Sequence, residues 1–260
     1  MNTIEIWLYG LLISMLFLTV LWIVSVYLKN ASIIDPFWGT GFIILMTYYL
    51  NSTENFSERS IMVSILLAIW GLRLSVFLLI RNRGHGEDFR YKQFRREYGP
   101  DRYWWISFFQ VFLLQGVLMS IVALPMLAIT MGDGDQGLTL LDFAAGLIWS
   151  IGMTFEAGGD YQLALFKKNN TDKDKVLNTG LWKYTRHPNY FGDALVWWSY
   201  GLFGLISGSY LCLLGPLLMT LLLIKVSGVS LLEKTLKSSK PKYQEYIEKT
   251  NAFFPWFPKS

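Results

Sequence analysis

The chain has 260 residues, 53% of them hydrophobic and 17% aromatic, with 23 lysines and arginines against 19 aspartates and glutamates. Such an apolar excess over a soluble domain points to residence in a membrane. The net charge of +4 does not suggest a nucleic-acid partner. One cysteine, Cys212, rules out a disulfide frame or thiolate metal site within one chain, and two histidines, His85 and His187, rule out a histidine-rich metal centre.

A membrane span needs about 20 mostly apolar residues. Seven segments are predicted to be spans: 4–28, 33–50, 60–80, 106–130, 138–166, 194–207 and 209–229. The first has no basic region before it and is too long for the apolar stretch of a signal peptide, so it reads as a span. The second opens on SIIDPFWGTGF, where Asp35 precedes Pro36. An N-cap and a functional acid are both open readings for Asp35. The third carries Arg73, two turns from its end, where snorkelling is one reading and a cavity-facing role another. The fifth is too long for one crossing, and its last part, from Glu156, continues out of the lipid. There Glu156 and Asp160 share a helical face with Lys167 two turns on, a face that suits either a polar ligand or water. Only Gly208 separates the sixth and seventh, and Lys225 lies near the end of the seventh.

Basic residues fix the expected topology. Segment 81–105 holds Arg81, Arg83, Arg90, Lys92, Arg95, Arg96 and Arg102. Segment 167–193 holds Lys167, Lys168, Lys173, Lys175, Lys183 and Arg186. The tail 230–260 holds Lys234, Lys237, Lys240, Lys242, Lys249 and Lys259. With seven spans these three segments fall on one side, and the positive-inside rule makes that side the cytoplasm, with the N-terminus outside and the C-terminus cytoplasmic. The expectation is an all-α, single-domain bundle of seven transmembrane helices over residues 1–260.

GDGDQG, Gly132 to Gly137, fits the glycine pattern of dinucleotide folds but follows an apolar helix rather than a strand, and its acids would repel a pyrophosphate; it reads as a loop. Two cytoplasmic stretches carry more. RNRGHGEDFRY, Arg81 to Tyr91, offers Asn82, Arg83 and His85 among glycines that let a backbone approach a ligand, with arginines suited to phosphate. A charge-balanced solvated loop is the alternative. YTRHPNYFGD, Tyr184 to Asp193, sets polar groups at the edge of a span. Arg186 and His187 suit phosphates, Asn189 an amide or ribose, and Tyr190 stacking or hydrogen bonding. Asp193 at a helix start also satisfies the helix dipole. If both stretches form one site, they make a polar mouth above an apolar bundle, fit for a polar cofactor reaching a lipid-like substrate.

GLWKYTRHPNYFGD and LLEKTLKSSKPKYQEYIEKTNAFFPWFP resemble the C-terminal domain of the steroid 5α-reductase family, most closely its bacterial membrane branch. RNRGHGEDFRY and SFFQVFLLQG resemble that branch too, and the likeness runs from about Ser32 onward. RHP-x-Y-x-G alone also resembles isoprenylcysteine methyltransferases and sterol reductases. The resemblance implies a seven-helix bundle in the bacterial inner membrane that binds NADPH from the cytoplasmic side. It implies reduction of a carbon–carbon double bond conjugated to a ketone on a lipophilic, steroid-like substrate, with no metal. It casts Asn82 and the loop glycines as part of the NADPH loop, Asp160 as an adenosine-side acid and Lys167 as a basic contact. Asn189 and Asp193 match the family's asparagine–aromatic–x–glycine–acid stretch, and Lys225 and Glu233 lie where the last helix completes the cofactor pocket.

The animal members hold the ketone with a glutamate in the second span and a tyrosine in the third. Here Asp35 is the only acid in 33–50, and Gly71 and Arg73 stand near the tyrosine's place. Asp35 is therefore the expected carbonyl-polarising acid, held protonated by its apolar surroundings, with Asp193 as second catalytic candidate. Trp38 and Arg73 are expected beside the substrate, and Trp38, Tyr48, Trp70 and Trp197 suit either a ring-lined wall or core packing. An S-adenosylmethionine-dependent lipid methyltransferase and a non-enzymatic lipid-binding bundle are the alternatives.

Overall fold

Residues 1–132, 137–170, 172, 174–226, 229, 233 and 243–259 are described in a computed structural model, and every regular element among them is helical. The chain divides into two compact units, Met1–Leu138 with Ser207–Cys212, and Thr139–Ile206 with Leu213–Ser260.

In the first unit, α1 (Thr3–Leu28) starts on a capping box, Asn2 accepting from the Glu5 amide while Glu5 reaches back to the Asn2 amide. These bonds satisfy donors that no helix can satisfy internally. A 3-10 turn, Ala31–Phe37, capped by Asn30, leads into α2 (Trp38–Thr53), whose N-cap position is Phe37, so Asp35 caps neither. Next come α3 (Glu58–Asn82), α4 (Phe89–Tyr98) and α5 (Pro100–Ser107). A π-turn, Phe108–Leu113, joins α5 to α6 (Leu114–Val122), and α7 (Leu124–Met131) follows. Pro125, in the first turn of α7, lacks the amide that would continue α6, so the chain breaks at Ala123.

The apolar pattern is that of helices in lipid. On α1, Leu8, Leu12, Leu16, Val20 and Ile23 are exposed, whereas Gly10, Ser14 and Ser25 are buried. Small residues face partner helices where backbones approach closely. Gly10 lies under the ring of Tyr49, and a Cβ on Gly39 would stand 2.3 Å from the Gly71 carbonyl oxygen. Phe42, Leu45, Tyr49, Leu67 and Trp70 fill the interior.

In the second unit, α8 (Leu140–Asn169) and α9 (Pro188–Ile206) pack backbone to backbone. A Cβ on Gly192 would lie 2.3 Å from the Glu156 amide nitrogen. Trp149 Nε1 donates to Tyr200 Oη (2.9 Å) and Ser199 Oγ to the Ala145 carbonyl (2.9 Å). α10 (Leu214–Leu221) packs on α9 through Pro216 and Gly201 and runs into a second π-turn, Leu222–Val226. α11 (Tyr243–Lys249) is the last described helix.

Among the described residues, five helical stretches are long and apolar enough to cross a membrane: Thr3–Leu28, Ala31–Thr53, Glu58–Asn82, Pro100–Met131 and Leu140–Asn169. They match the first five predicted spans. The sixth corresponds to α9, which starts earlier because Pro188 suits a first helical turn. The seventh corresponds to a shorter apolar helix, Tyr210–Val226, and its last predicted residues run beyond the described stretch. Between them Gly208 takes φ +90° in open space, the turn its lack of Cβ permits. Most of GDGDQG, 133–136, lies outside the described residues.

Gly192→Ala should destabilise the detergent-solubilised protein by about 1–3 kcal/mol, the usual cost of overpacking. Gly137→Ala, whose Cβ would meet nothing closer than 3.8 Å, should stay within about 0.5 kcal/mol. Thermal unfolding of both variants checks this, and equal melting points would contradict the close α8–α9 contact.

Candidate functional site

The first unit carries a line of polar side chains at the head of α2. Asp35 accepts from Arg90 Nη2 (3.0 Å) and from Tyr91 Oη (2.8 Å). Arg90 Nε also donates to Asp88 Oδ1 (2.9 Å). Asp88 is the N-cap of α4 and accepts from the Arg90 amide (3.0 Å), while its own amide donates to Ser32 Oγ (3.1 Å). This cap turns Arg90 and Tyr91 toward Asp35. On the other side Gln115 Nε2 approaches Tyr91 Oη (3.5 Å) and Trp38 Nε1 donates to Gln115 Oε1. The line runs from Trp38 through Gln115, Tyr91, Asp35 and Arg90 to Asp88.

Its electrostatics follow from partial burial. Burial works against the Arg90 charge, but Asp35 and Asp88 outweigh it and hold the guanidinium above the ordinary arginine value. Burial, reinforced by the charge of Asp35, raises the Tyr91 phenol well above the usual tyrosine range. For Asp88 burial acts upward, yet the bonds from Arg90 prevail and its carboxyl falls below the usual range. Asp35 is thus paired with Arg90 and Tyr91 rather than alone in its apolar surroundings.

Other residues expected in this unit lie apart from that line. Asn82 ends α3, and its side chain accepts from Arg81 Nε (3.2 Å). Arg83 and His85 are exposed, His85 Nδ1 lying 3.1 Å from the Arg83 carbonyl oxygen. Gly84 and Gly86 take φ of 79° and 69°, so this loop needs its glycines for the backbone. Arg73 is half-buried on α3. Trp38 packs edge-on against Phe42, and Trp70 is fully buried beside the same ring, so Trp70 belongs to the core.

The second unit holds two further clusters. On α8 and α9, Asn189 Nδ2 donates to Asp160 Oδ1 (3.0 Å). Asn189 Oδ1 is buried and has no hydrogen-bond partner among the described residues. Gly159 permits the approach, since a Cβ there would meet the Asn189 amide nitrogen at 3.0 Å. The RHP corner behaves differently. Arg186 is 6% exposed, and its Nε donates to Glu233 Oε1 (2.8 Å) while Nη1 donates to the carbonyls of Ile247 and Thr250. Its guanidinium is spent on the protein. The His187 ring stacks on Tyr190 (5.6 Å, 10°) and its Nε2 lies 3.4 Å from Glu233 Oε1, long for a hydrogen bond. Burial pushes the Glu233 carboxyl up, but His187 and Arg186 outweigh it and the net shift is downward.

Tyr184 is partly exposed and its carbonyl accepts from the Trp256 amide (2.9 Å), tying the corner to the C-terminal segment. Thr185 Oγ1 donates to the Phe253 carbonyl (2.9 Å) with the same effect. Asp193 is half-buried on α9, Lys167 is exposed on α8, and Lys225 is exposed in the π-turn Leu222–Val226. Trp197 is fully buried against Tyr200. Among the described residues no group of three or more His, Cys, Asp or Glu side chains could hold a metal ion.

Residues 81–91 belong to the first unit and 184–193 to the second. Sequence reading missed Tyr91, Gln115 and the pairing role of Arg90. All three lie in stretches singled out for their resemblance, and the acid at Asp88 before an aromatic–basic helix was the available signal for the α4 cap.

No solved structure matches this chain. An uncharacterized protein of Schizosaccharomyces pombe is 27% identical over 272 residues, covering 95% of this chain and 78% of that protein. The family model described as "Protein of unknown function (DUF1295)" matches residues 21–250. The chain therefore belongs to that family, which is associated with steroid 5α-reductase-like membrane proteins.

Proposed function

We propose that this chain is a membrane-embedded, NADPH-dependent reductase of a carbon–carbon double bond conjugated to a ketone in a lipophilic, steroid-like substrate. In this reading seven helices cross the membrane, with the basic segments in the cytoplasm. The observation that carries it is the Asp35–Tyr91–Gln115 line at the head of an apolar helix. A conjugated ketone becomes reducible when donors face its oxygen as negative charge develops there. Tyr91, from α4, would supply the hydroxyl that the animal enzymes bring from their third span. Asp35 orients the Tyr91 hydroxyl, and Arg90 keeps the Asp35 charge balanced. Burial keeps the proton on the Tyr91 phenol oxygen, ready to be shared with a substrate oxygen.

The chemistry of the second unit fits a dinucleotide. The unpartnered Asn189 Oδ1 suits the N–H donors of a carboxamide, and Asp160 beside it suits ribose hydroxyls. Lys167 is the exposed basic group of this unit that suits a phosphate, and Asp193, Tyr190, Lys225 and Glu233 complete the set by resemblance. When bound, NADPH would supply hydride. Arg186 and His187 would act at one remove, by fixing the corner from which Asn189 and Tyr190 project.

NADPH at 100 times its dissociation constant should stabilise the purified protein by about 2.7 kcal/mol, read as a raised melting temperature, whereas S-adenosylmethionine should leave it unchanged. The reverse result would favour a methyltransferase. Asn189→Ala should weaken NADPH binding at least tenfold in a titration. Tyr91→Phe and Asp35→Asn should each lower turnover of a lipophilic enone about 100-fold or more, the scale of losing one oxyanion donor, with NADPH affinity unchanged. Equal turnover in both variants would remove the pair from the mechanism.

A further inference from the structure

The first unit contains a cavity of about 750 Å³ that neither cluster above uses. It opens at one end of the apolar helices, between the last turn of α1, the loop at Asn30–Ala31, α4 and the start of α5. Lys29, Lys92 and Arg95 line it. Neither lysine forms an ion pair among the described residues, and Lys29 is held in the left-handed region (φ 50°) as the C-cap of α1. Arg95 Nε and Nη2 are committed to Glu87 (3.0 and 2.8 Å). Glu87 also accepts from the Ala31 amide (2.8 Å), so this acid is neutralised and saturated. The remaining acid on the wall is Asp101, in the first turn of α5.

Tyr103 also lines the cavity. It is 1% exposed, its ring lies under the Arg95 guanidinium (4.6 Å), and its hydroxyl has no hydrogen-bond partner among the described residues. A buried hydroxyl left without a partner is costly, and a ligand oxygen would remove that cost. Val26, Leu28 and Trp104 add apolar wall. Trp104 and Trp105 are both about half exposed, and Trp22 Nε1 donates to the Trp104 carbonyl (2.8 Å). Tryptophans in such numbers at the end of apolar helices mark the headgroup depth of a bilayer.

We infer that this cavity is a binding site for the phosphate of an anionic phospholipid. Lys29, Lys92 and the Tyr103 hydroxyl face the phosphate oxygens, and Val26, Leu28 and Trp104 meet the glycerol and first acyl carbons. The apolar wall and the headgroup depth favour a lipid over free phosphate. The site is independent of the proposed reductase chemistry, since none of these residues belongs to the Asp35 line or to the Asn189 cluster.

The test uses the full-length protein in zwitterionic nanodiscs with and without phosphatidylglycerol, and native mass spectrometry of lipids retained on release. Wild type should retain phosphatidylglycerol and melt higher in its presence. Lys29→Gln and Lys92→Gln should each weaken retention about fivefold, the contribution of one basic residue near a charged surface. Tyr103→Phe should weaken it without changing the charge, and Lys259→Gln, outside the cavity, should have no effect. Equal retention by wild type and the Lys29→Gln/Lys92→Gln double variant would overturn the site. So would inorganic phosphate matching the stabilisation given by phosphatidylglycerol, because the cavity would then take free phosphate and not a lipid.

Discussion

Asp35 stands at the head of an apolar helix, and much of the first unit's polar structure exists to satisfy it. A carboxylate withdrawn from water must find a counter-charge and donors, and it finds both on a helix 55 positions away in sequence. Arg90 supplies the charge and Tyr91 a hydroxyl, and both are delivered by the cap that Asp88 places on α4. The side chains of the pair are 28% and 18% exposed, so the pair is partly shielded and still within reach of a polar ligand. The same arrangement extends by Gln115 and Trp38 into the α5–α6 stretch and α2. One ionic requirement thereby orders a row of polar side chains at the head of α2.

The second unit solves a comparable problem in the opposite way. Arg186 sits where sequence logic expects a phosphate ligand, yet it is buried and its donors reach Glu233 and two backbone carbonyls. Removing one partner of a buried ion pair typically costs about 3–5 kcal/mol, so loss of Arg186 would be felt first as loss of the corner. The groups left with spare capacity are smaller: the Asn189 carbonyl oxygen, held on α9 beside Asp160 by the Gly159 contact. Arginine near histidine on a loop is a strong compositional hint of anion binding, but its burial state decides whether it grips a ligand or the protein itself.

Hydropathy is a local property, and so the first five apolar stretches and their ends were legible to within a few residues. The turn at Gly208 and the single long α8 were legible for the same reason. Pairing is not local. Nothing in RNRGHGEDFRY says that its last two residues meet an aspartate 55 and 56 positions earlier, although Asp88 before Phe-Arg-Tyr does announce a helix start. Asp35 was visible as an acid out of place, but its arginine partner was not, because Arg90 comes from another element. Trp70 and Trp197 suited a wall or, more commonly for aromatics at helical spacing, a core, and their complete burial decides for the core.

The most direct measurement of the central claim is isotope transfer. Protein in liposomes would be given a panel of lipophilic enones with NADPH deuterated at the carbon that carries the transferable hydride, and the products read by mass spectrometry. The account predicts a saturated ketone carrying one deuterium on the carbon beta to the carbonyl, formed by wild type and nearly absent with Tyr91→Phe. A deuterated product formed equally well without Tyr91, or none formed from any enone while a labelled methyl group passes from S-adenosylmethionine to a lipid, would contradict it.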